Sequence, residues 1–199
     1  SRPWGGVDPI VVSSQIVVGL QTIVSRQIDI TRYPAVVSVG AIKGGIRNNI
    51  IPDEVEMIGT FRTFDPAVRQ QIIDGITRTA QDIAHAGGAT ATVEIADDNN
   101  PVVVNEAALT ARMLPSLEHV AGAGRVVEIP YVTGAEDFAF FGQRVPSLFF
   151  FVGSTPAGVD APKAPSNHSP QFFLDESSLD LGLRAMLGVA VDYLQGTRR

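Results

Sequence analysis

Residues 48–65, NNIIPDEVEMIGTFRTFD, decide how this chain is to be read. From Glu54 to Thr63 the side chains alternate: Val55, Met57, Gly59 and Phe61 fall on one face, and Glu54, Glu56, Ile58, Thr60 and Arg62 on the other. A period of two marks a half-buried antiparallel strand, because successive side chains leave opposite faces of the pleat. Pro52-Asp53 is turn chemistry, since proline sets its own backbone angle and aspartate tolerates tight turns. Asn48 and Asn49 therefore lie in a loop that enters the strand.

Outward from this strand, the chain has room for one large domain or two small ones: it is 199 residues long, with 45% hydrophobic and 18% charged residues, enough for a sizeable core. A net charge of -6, with Arg198-Arg199 the only basic run, argues against nucleic acid as a partner, because phosphates require concentrated cations. There is no cysteine, which excludes disulfides and thiolate zinc sites within these residues and leaves the compartment undecided. No targeting segment or membrane span is expected: the apolar run Ile10 to Val24 is broken by Ser13, Ser14, Gln15, Gln21 and Thr22, and it reads as a soluble helix.

That helix opens at Asp8, a capping residue followed by Pro9 at the first turn, and is expected to reach about Arg26. Ile16, Val17, Leu20, Ile23 and Val24 form its core stripe. Val11, Ser14, Val18, Thr22 and Ser25 form a second, half-apolar face, which suits either another subunit or plain exposure. Pro34 to Ile42 predicts a strand, Gly44-Gly45 a turn, and Asp65-Pro66 a second helix with Val68, Ile72, Ile76, Ala80 and Ile83 inward and Arg69, Asp74, Arg78 and Asp82 outward. Gly87-Gly88 ends it, and Thr90 to Ala96 alternates as a further strand. Residues 8 to 97 thus read helix, strand, strand, helix, strand. This is the split βαβ arrangement with one opening strand expected upstream of Ser1.

The polar cluster Asp97 to Pro101 predicts a boundary. Beyond it, Glu106 to Val120 reads as a helix with Leu109, Met113, Leu117 and Val120 aligned and a kink at Pro115, while Val126 to Ile129 reads as a short strand. Glu136-Asp137 open a short helix. Ser147 to Val152, SLFFFV, is expected to be a strand buried on both faces of a parallel sheet. Asp175 is expected to cap a last helix whose stripe of Leu179, Leu183, Met186, Leu187, Ala190, Val191 and Leu194 covers that sheet.

Few side chains invite chemistry. His168 lies in the proline-rich loop PAGVDAPKAPSNHSP after the apolar strand, a place where α/β sites are built. His85 and His119 fall on polar helix faces and read as surface residues. Glu136 and Asp137 are equally explained by the helix macrodipole, Arg62 by a surface pair with Glu54 or Glu56, and Asn49 by its turn.

Read together, PWGGVDPI, NNIIPDEVEMIGTFRTFD, GAEDFAFF and NHSPQFFLDE follow an order that resembles the dinuclear-metal amidohydrolases and peptidases, the family of hippurate hydrolase, N-acyl-amino-acid amidohydrolase and aminoacylase. The resemblance covers nearly all of the chain. It implies an α+β fold, with a two-layer ferredoxin-like lid or dimerisation domain at 1–97 followed by the C-terminal α/β portion of a catalytic domain at 98–199. It further implies that His168 is a metal ligand and that Asn49 and Arg62 hold a substrate carboxylate or polarise the scissile carbonyl. Glu136 becomes a substrate-site candidate, and the implied partner is a second copy through the lid. An imidazole suits zinc, and a planar guanidinium suits a carboxylate.

In such a family two divalent ions, zinc first and manganese or cobalt as alternatives, activate water for attack on a small amide while a glutamate moves protons. The GHDxH-like segment, the paired glutamates and the lid histidine of that pattern do not occur here. The chain is therefore expected to be a fragment, with no catalytic residue of its own and no turnover alone. The competing reading is a noncatalytic dimerisation or carboxylate-binding module that presents Arg62 from an open sheet face.

Overall fold

The computed structural model describes residues 2–96 and 100–196, arranged as two compact units: Ser1–Val102 with Tyr131–Ala135, and Val103–Pro130 with Glu136–Arg199. Part of the boundary read at Asp97 to Pro101, and the Arg198-Arg199 run, lie outside the described residues.

In the first unit, helix α1 (Pro9–Thr22) continues as a π-helical turn, Ile23–Gln27, and a hairpin of β1 (Ala35–Lys43) and β2 (Glu56–Thr63) is followed by α2 (Pro66–Ala86). Both long helices start as their sequences dictate. The Asp8 carboxylate accepts from the backbone N–H of Ile10 and Val11, and the Asp65 carboxylate from those of Ala67 and Val68, with proline next in each case. These bonds satisfy backbone donors that have no partner inside the helix. The 19 residues Pro9–Gln27 are long and apolar enough, by length and composition, to cross a bilayer. Here one side of them is core instead: Val12, Ile16, Leu20 and Ile23 are buried in one cluster with Val37, Ile72, Ala80 and Ala84. Val12 and Ser13 join the inward side, which is wider than the stripe read from spacing, while Val17 is only half-buried.

β1 and β2 are antiparallel, with Val36 opposite Arg62, Ser38 opposite Thr60 and a shift of register between Val39 and Ala41. Met57 and Phe61 turn toward the helices and Glu56, Ile58, Thr60 and Arg62 toward solvent, as alternation requires. Arg69 is not simply outward. It is half-buried, with its guanidinium 5.7 Å from the centre of the Phe61 ring. Residues 89–95 alternate between half-buried and exposed, but no strand forms there: the sheet has two strands among the described residues. A strand is defined by its ladder, and pattern alone supplies no partner.

The second unit is helical. Helix α3 (Ala107–Ala121) runs on through Pro115 and packs against α5 (Ser177–Gln195), and a single turn, α4 (Ala139–Gly142), follows Glu136 and Asp137. Glu106 caps α3 by accepting from Ala108 at 3.0 Å and Leu109 at 2.6 Å, and these backbone bonds hold its carboxyl below the usual glutamate range. Asp175 accepts from the Ser177 N–H at 2.9 Å at the entrance to α5, and the Ser177 side chain first, then this backbone bond, hold its carboxyl low.

Three expectations for this unit need correction. Val126 to Ile129 forms no strand, and Val127 is 70% exposed. Ser147 to Val152 forms no ladder and is not covered on both sides, for Phe151 is 63% exposed. The apolar stripe of α5 does not face inward: Leu183, Met186 and Leu194 are all exposed, and Ala185, Gly182 and Gly188 take the inner side instead. Small residues let the two helices approach closely. A Cβ on Gly188 would lie 3.5 Å from Val120. Ser116, one turn before His119 on α3, is buried and donates its hydroxyl to Asp192.

Candidate functional site

Each candidate is placed by a different local device. Arg62 is exposed on the outer face of β2 and makes no ion pair among the described residues, so the surface bridge to Glu54 or Glu56 is not formed. Its neighbours on that face come from the hairpin register: Val36 stands directly opposite, and Ser38 opposite Thr60. These two β1 residues were not singled out by sequence reading. The signal that finds them is strand pairing, which a pattern along one strand does not contain.

Asn49 is exposed in the turn of the hairpin connection. That connection leaves the ladder at Lys43 and re-enters at Glu56. With a rise of about 3.3 Å per residue, Arg62 stands roughly 20 Å along the strand from Glu56. Asn49 and Arg62 thus belong to opposite ends of the hairpin.

In the second unit Glu136 is half-buried and its Oε1 accepts from the Phe138 N–H at 3.3 Å, a turn-closing contact just ahead of α4. His168 is exposed in a turn of the long loop. No hydrogen bond joins Glu136 to His168 among the described residues. His85 and His119 are both exposed on their helices.

The donor set decides whether a metal fits. No group of three or more His, Asp or Glu side chains converges among the described residues, and one imidazole without a second ligand does not fix an ion. The described residues therefore do not by themselves fit a metal centre, and no chemical step is derived through one.

What the geometry defines is a mixed α+β chain in two units, an open-faced hairpin carrying a free guanidinium and a helix pair carrying a loop imidazole. The chain belongs to Peptidase family M20/M25/M40, whose profile matches residues 4–192. It is 37% identical over 195 residues to Thermostable carboxypeptidase 2 of Saccharolobus solfataricus, covering 97% of this chain and 48% of that protein. It is 35% identical over 177 residues to N-acetyl-L-cysteine deacetylase of Bacillus subtilis, covering 89% of this chain and 40% of that one. The crystal structure of Bacillus subtilis YXEP, a dinuclear metal binding peptidase of the M20 family, superposes with a TM-score of 0.73 at 28% identity, over 97% of this chain and 48% of the other. The chain spans about half the length of the curated relatives it matches.

Proposed function

We propose that the whole protein hydrolyses the amide bond of N-acyl amino acids or related small amides and peptides, with two divalent metal ions, zinc first, held by His168 together with ligands outside the described residues. In this reading residues 1–97 are the lid and dimerisation domain, of ferredoxin-like type, and 98–199 the last part of the catalytic domain. The match to the family along nearly the whole chain supports the reaction class.

The observation that carries the substrate reading is Arg62, whose fork of donors is exposed and without an acidic partner among the described residues. An exposed guanidinium on an ordered strand, with no acid of its own chain beside it, leaves its planar fork of donors open to pair with a ligand carboxylate. Asn49 and Glu136 are each proposed as further substrate-binding residues of the whole protein. The second copy is proposed to dock on the outer face of α1. Ile10, Val11 and Val18 are exposed there. The hydroxyls of Ser14, Thr22 and Ser25 each donate back to a carbonyl of their own helix, so they leave no unmet donor on that face.

The test is Arg62→Ala in the whole enzyme. Loss of a charged contact to the substrate carboxylate is expected to lower kcat/KM by about 10- to 1000-fold, and Arg62→Lys to recover only part of it. Unchanged hydrolysis of carboxylate-bearing amides would make the arginine structural and remove the assignment.

A further inference from the structure

The hairpin ladder ends where Ala35 faces Thr63, one pair beyond Val36 and Arg62. Three rings of the first unit gather at this end. Phe64 comes two residues after Arg62, about 7 Å along an extended chain. Tyr33 precedes Val36, the cross-strand partner of Arg62, by three residues. Tyr131 opens the segment Tyr131–Ala135, which belongs to the first unit although the chain on either side of it belongs to the second. Its ring centre lies 4.8 Å from that of Phe64, tilted by 38°, and 6.5 Å from that of Tyr33, edge-on at 64°. Offset and edge contacts of this kind are favourable between rings. Phe64 and Tyr33 are half-buried, but Tyr131 is 64% exposed, and Val36 is exposed as well.

The acids closest in sequence to Phe64 and Tyr33 are committed elsewhere. Asp65 accepts from the N–H groups of Ala67 and Val68 at 2.8 and 2.9 Å, and Asp29 accepts from the N–H and hydroxyl of Thr31. Arg69 already lies over the Phe61 ring, whereas Arg62 has no such partner among the described residues. A guanidinium without an acid thus stands beside an exposed aromatic surface. Ligand sites combine apolar walls with a few polar groups in this way, the wall supplying contact area and the polar group orientation.

We propose that Tyr131, supported by Phe64 and flanked by Val36, is the specificity wall of the substrate site, taking the side chain of an N-acyl amino acid whose carboxylate pairs with Arg62. The favoured substrates then carry an aromatic side chain. A flat ring laid on Tyr131 releases water from both surfaces. It also shields the guanidinium from solvent, which strengthens the pairing with the carboxylate. Carboxylate and side chain leave the same carbon of such a substrate, and the spacing of about 7 Å between Arg62 and Phe64 lets one molecule touch both. The inference rests on the carboxylate reading of Arg62 given above and adds the class of side chain. All of its residues lie in the first unit.

Binding tests it without requiring turnover. The 199-residue chain is titrated with N-acetyl-L-phenylalanine, N-acetyl-L-alanine and N-acetyl-L-phenylalaninamide, followed at the backbone amide resonances of residues 35, 36 and 62–64. The first ligand is expected to bind at least about tenfold more tightly than either of the others. Tyr131→Ala should abolish its advantage over the alanine compound while leaving the affinity for that compound within about twofold. Tyr131→Phe should preserve the advantage, because the ring and not the hydroxyl carries it. Arg62→Ala should abolish the advantage over the amide. If the carboxylates bind through Arg62 with no preference for the aromatic one, this inference fails and the carboxylate reading stands. If N-acetyl-L-phenylalanine and its amide bind alike, both fail. Equal weakening of all ligands by Tyr131→Ala would make the ring a support for the hairpin end and overturn the proposal. So would absence of binding by all three to a chain whose far-ultraviolet dichroism shows its helices formed.

Discussion

Asn105 holds Phe149 by both ends of its amide. Its Nδ2 donates to the Phe149 carbonyl at 2.8 Å, and its Oδ1 accepts from the Phe149 N–H at 2.7 Å. A side chain thus takes the place of a neighbouring strand, and the Glu106 N–H adds a bond to the Ser147 carbonyl at 2.9 Å. Removing the Asn105 amide takes both partners from the backbone of Phe149, whose ring packs against Phe138 and Phe151. Asn105→Ala is expected to cost about 1 to 3 kcal/mol in urea unfolding, and Asn105→Asp, which keeps the acceptor and loses the donor, to fall between. A loss of under a few tenths of a kcal/mol would mean that water replaces the amide at no cost.

Gly59 answers to packing rather than to its backbone angle. A Cβ there would lie 2.6 Å from the Ser38 carbonyl oxygen, next to the register shift between Val39 and Ala41. That oxygen belongs to backbone and has little freedom to retreat. Gly59→Ala should therefore destabilise the first unit by about 1 to 3 kcal/mol, although alanine is ordinarily the better strand residue of the two. Chemical denaturation followed at Trp4 or by far-ultraviolet dichroism checks it, and equal or greater stability would show that the hairpin slides to make room.

Acid sensitivity of the second unit has a named contributor. The Glu106 carboxyl is lowered from its ordinary 4.5 first by the Ala108 backbone bond and then by that of Leu109. A group with a depressed folded value adds stability above its unfolded value, and that stability is lost as pH falls through the folded value. Glu106→Gln should thus weaken the fold near neutrality and flatten its decline on acidification. Asp175 and Asp29, both also lowered, remain as background in both proteins. Urea midpoints for wild type and variant from neutrality down through the carboxylate range decide this: parallel curves would remove Glu106 as a contributor.

Association through α1 is the expected solution behaviour. Val18 is 70% exposed on the outer face, and burying such a side chain is worth about 1.5 to 3 kcal/mol. Val18→Asp should convert a dimer into a monomer in sedimentation velocity at about ten micromolar without changing the unfolding midpoint of the monomer. A wild-type chain that stays monomeric at tenfold higher concentration, or a variant that still dimerises, would place the contact elsewhere.

Local signals in the sequence were sufficient wherever the physics is local. Asp8-Pro9 and Asp65-Pro66 start helices because a carboxylate and a proline act within three residues of each other, and the alternation from Glu56 to Thr63 is written along a single strand, β2. The family resemblance rests on ordered motifs that need no coordinates. Tertiary structure alone decided the rest. An amphipathic pattern identifies which residues share a face, but the neighbouring element determines which face is buried. Helix α5 therefore turns Ala185 and Gly188 inward, where only small side chains let α3 approach, and leaves Leu183 and Leu194 outside. Residues 147–152 and 90–95 have strand composition without strands, since a ladder is a property of two segments. In the same way the cross-strand neighbours of Arg62, Val36 and Ser38, were set by register, a relation between residues more than twenty positions apart that no periodicity along a single stretch records.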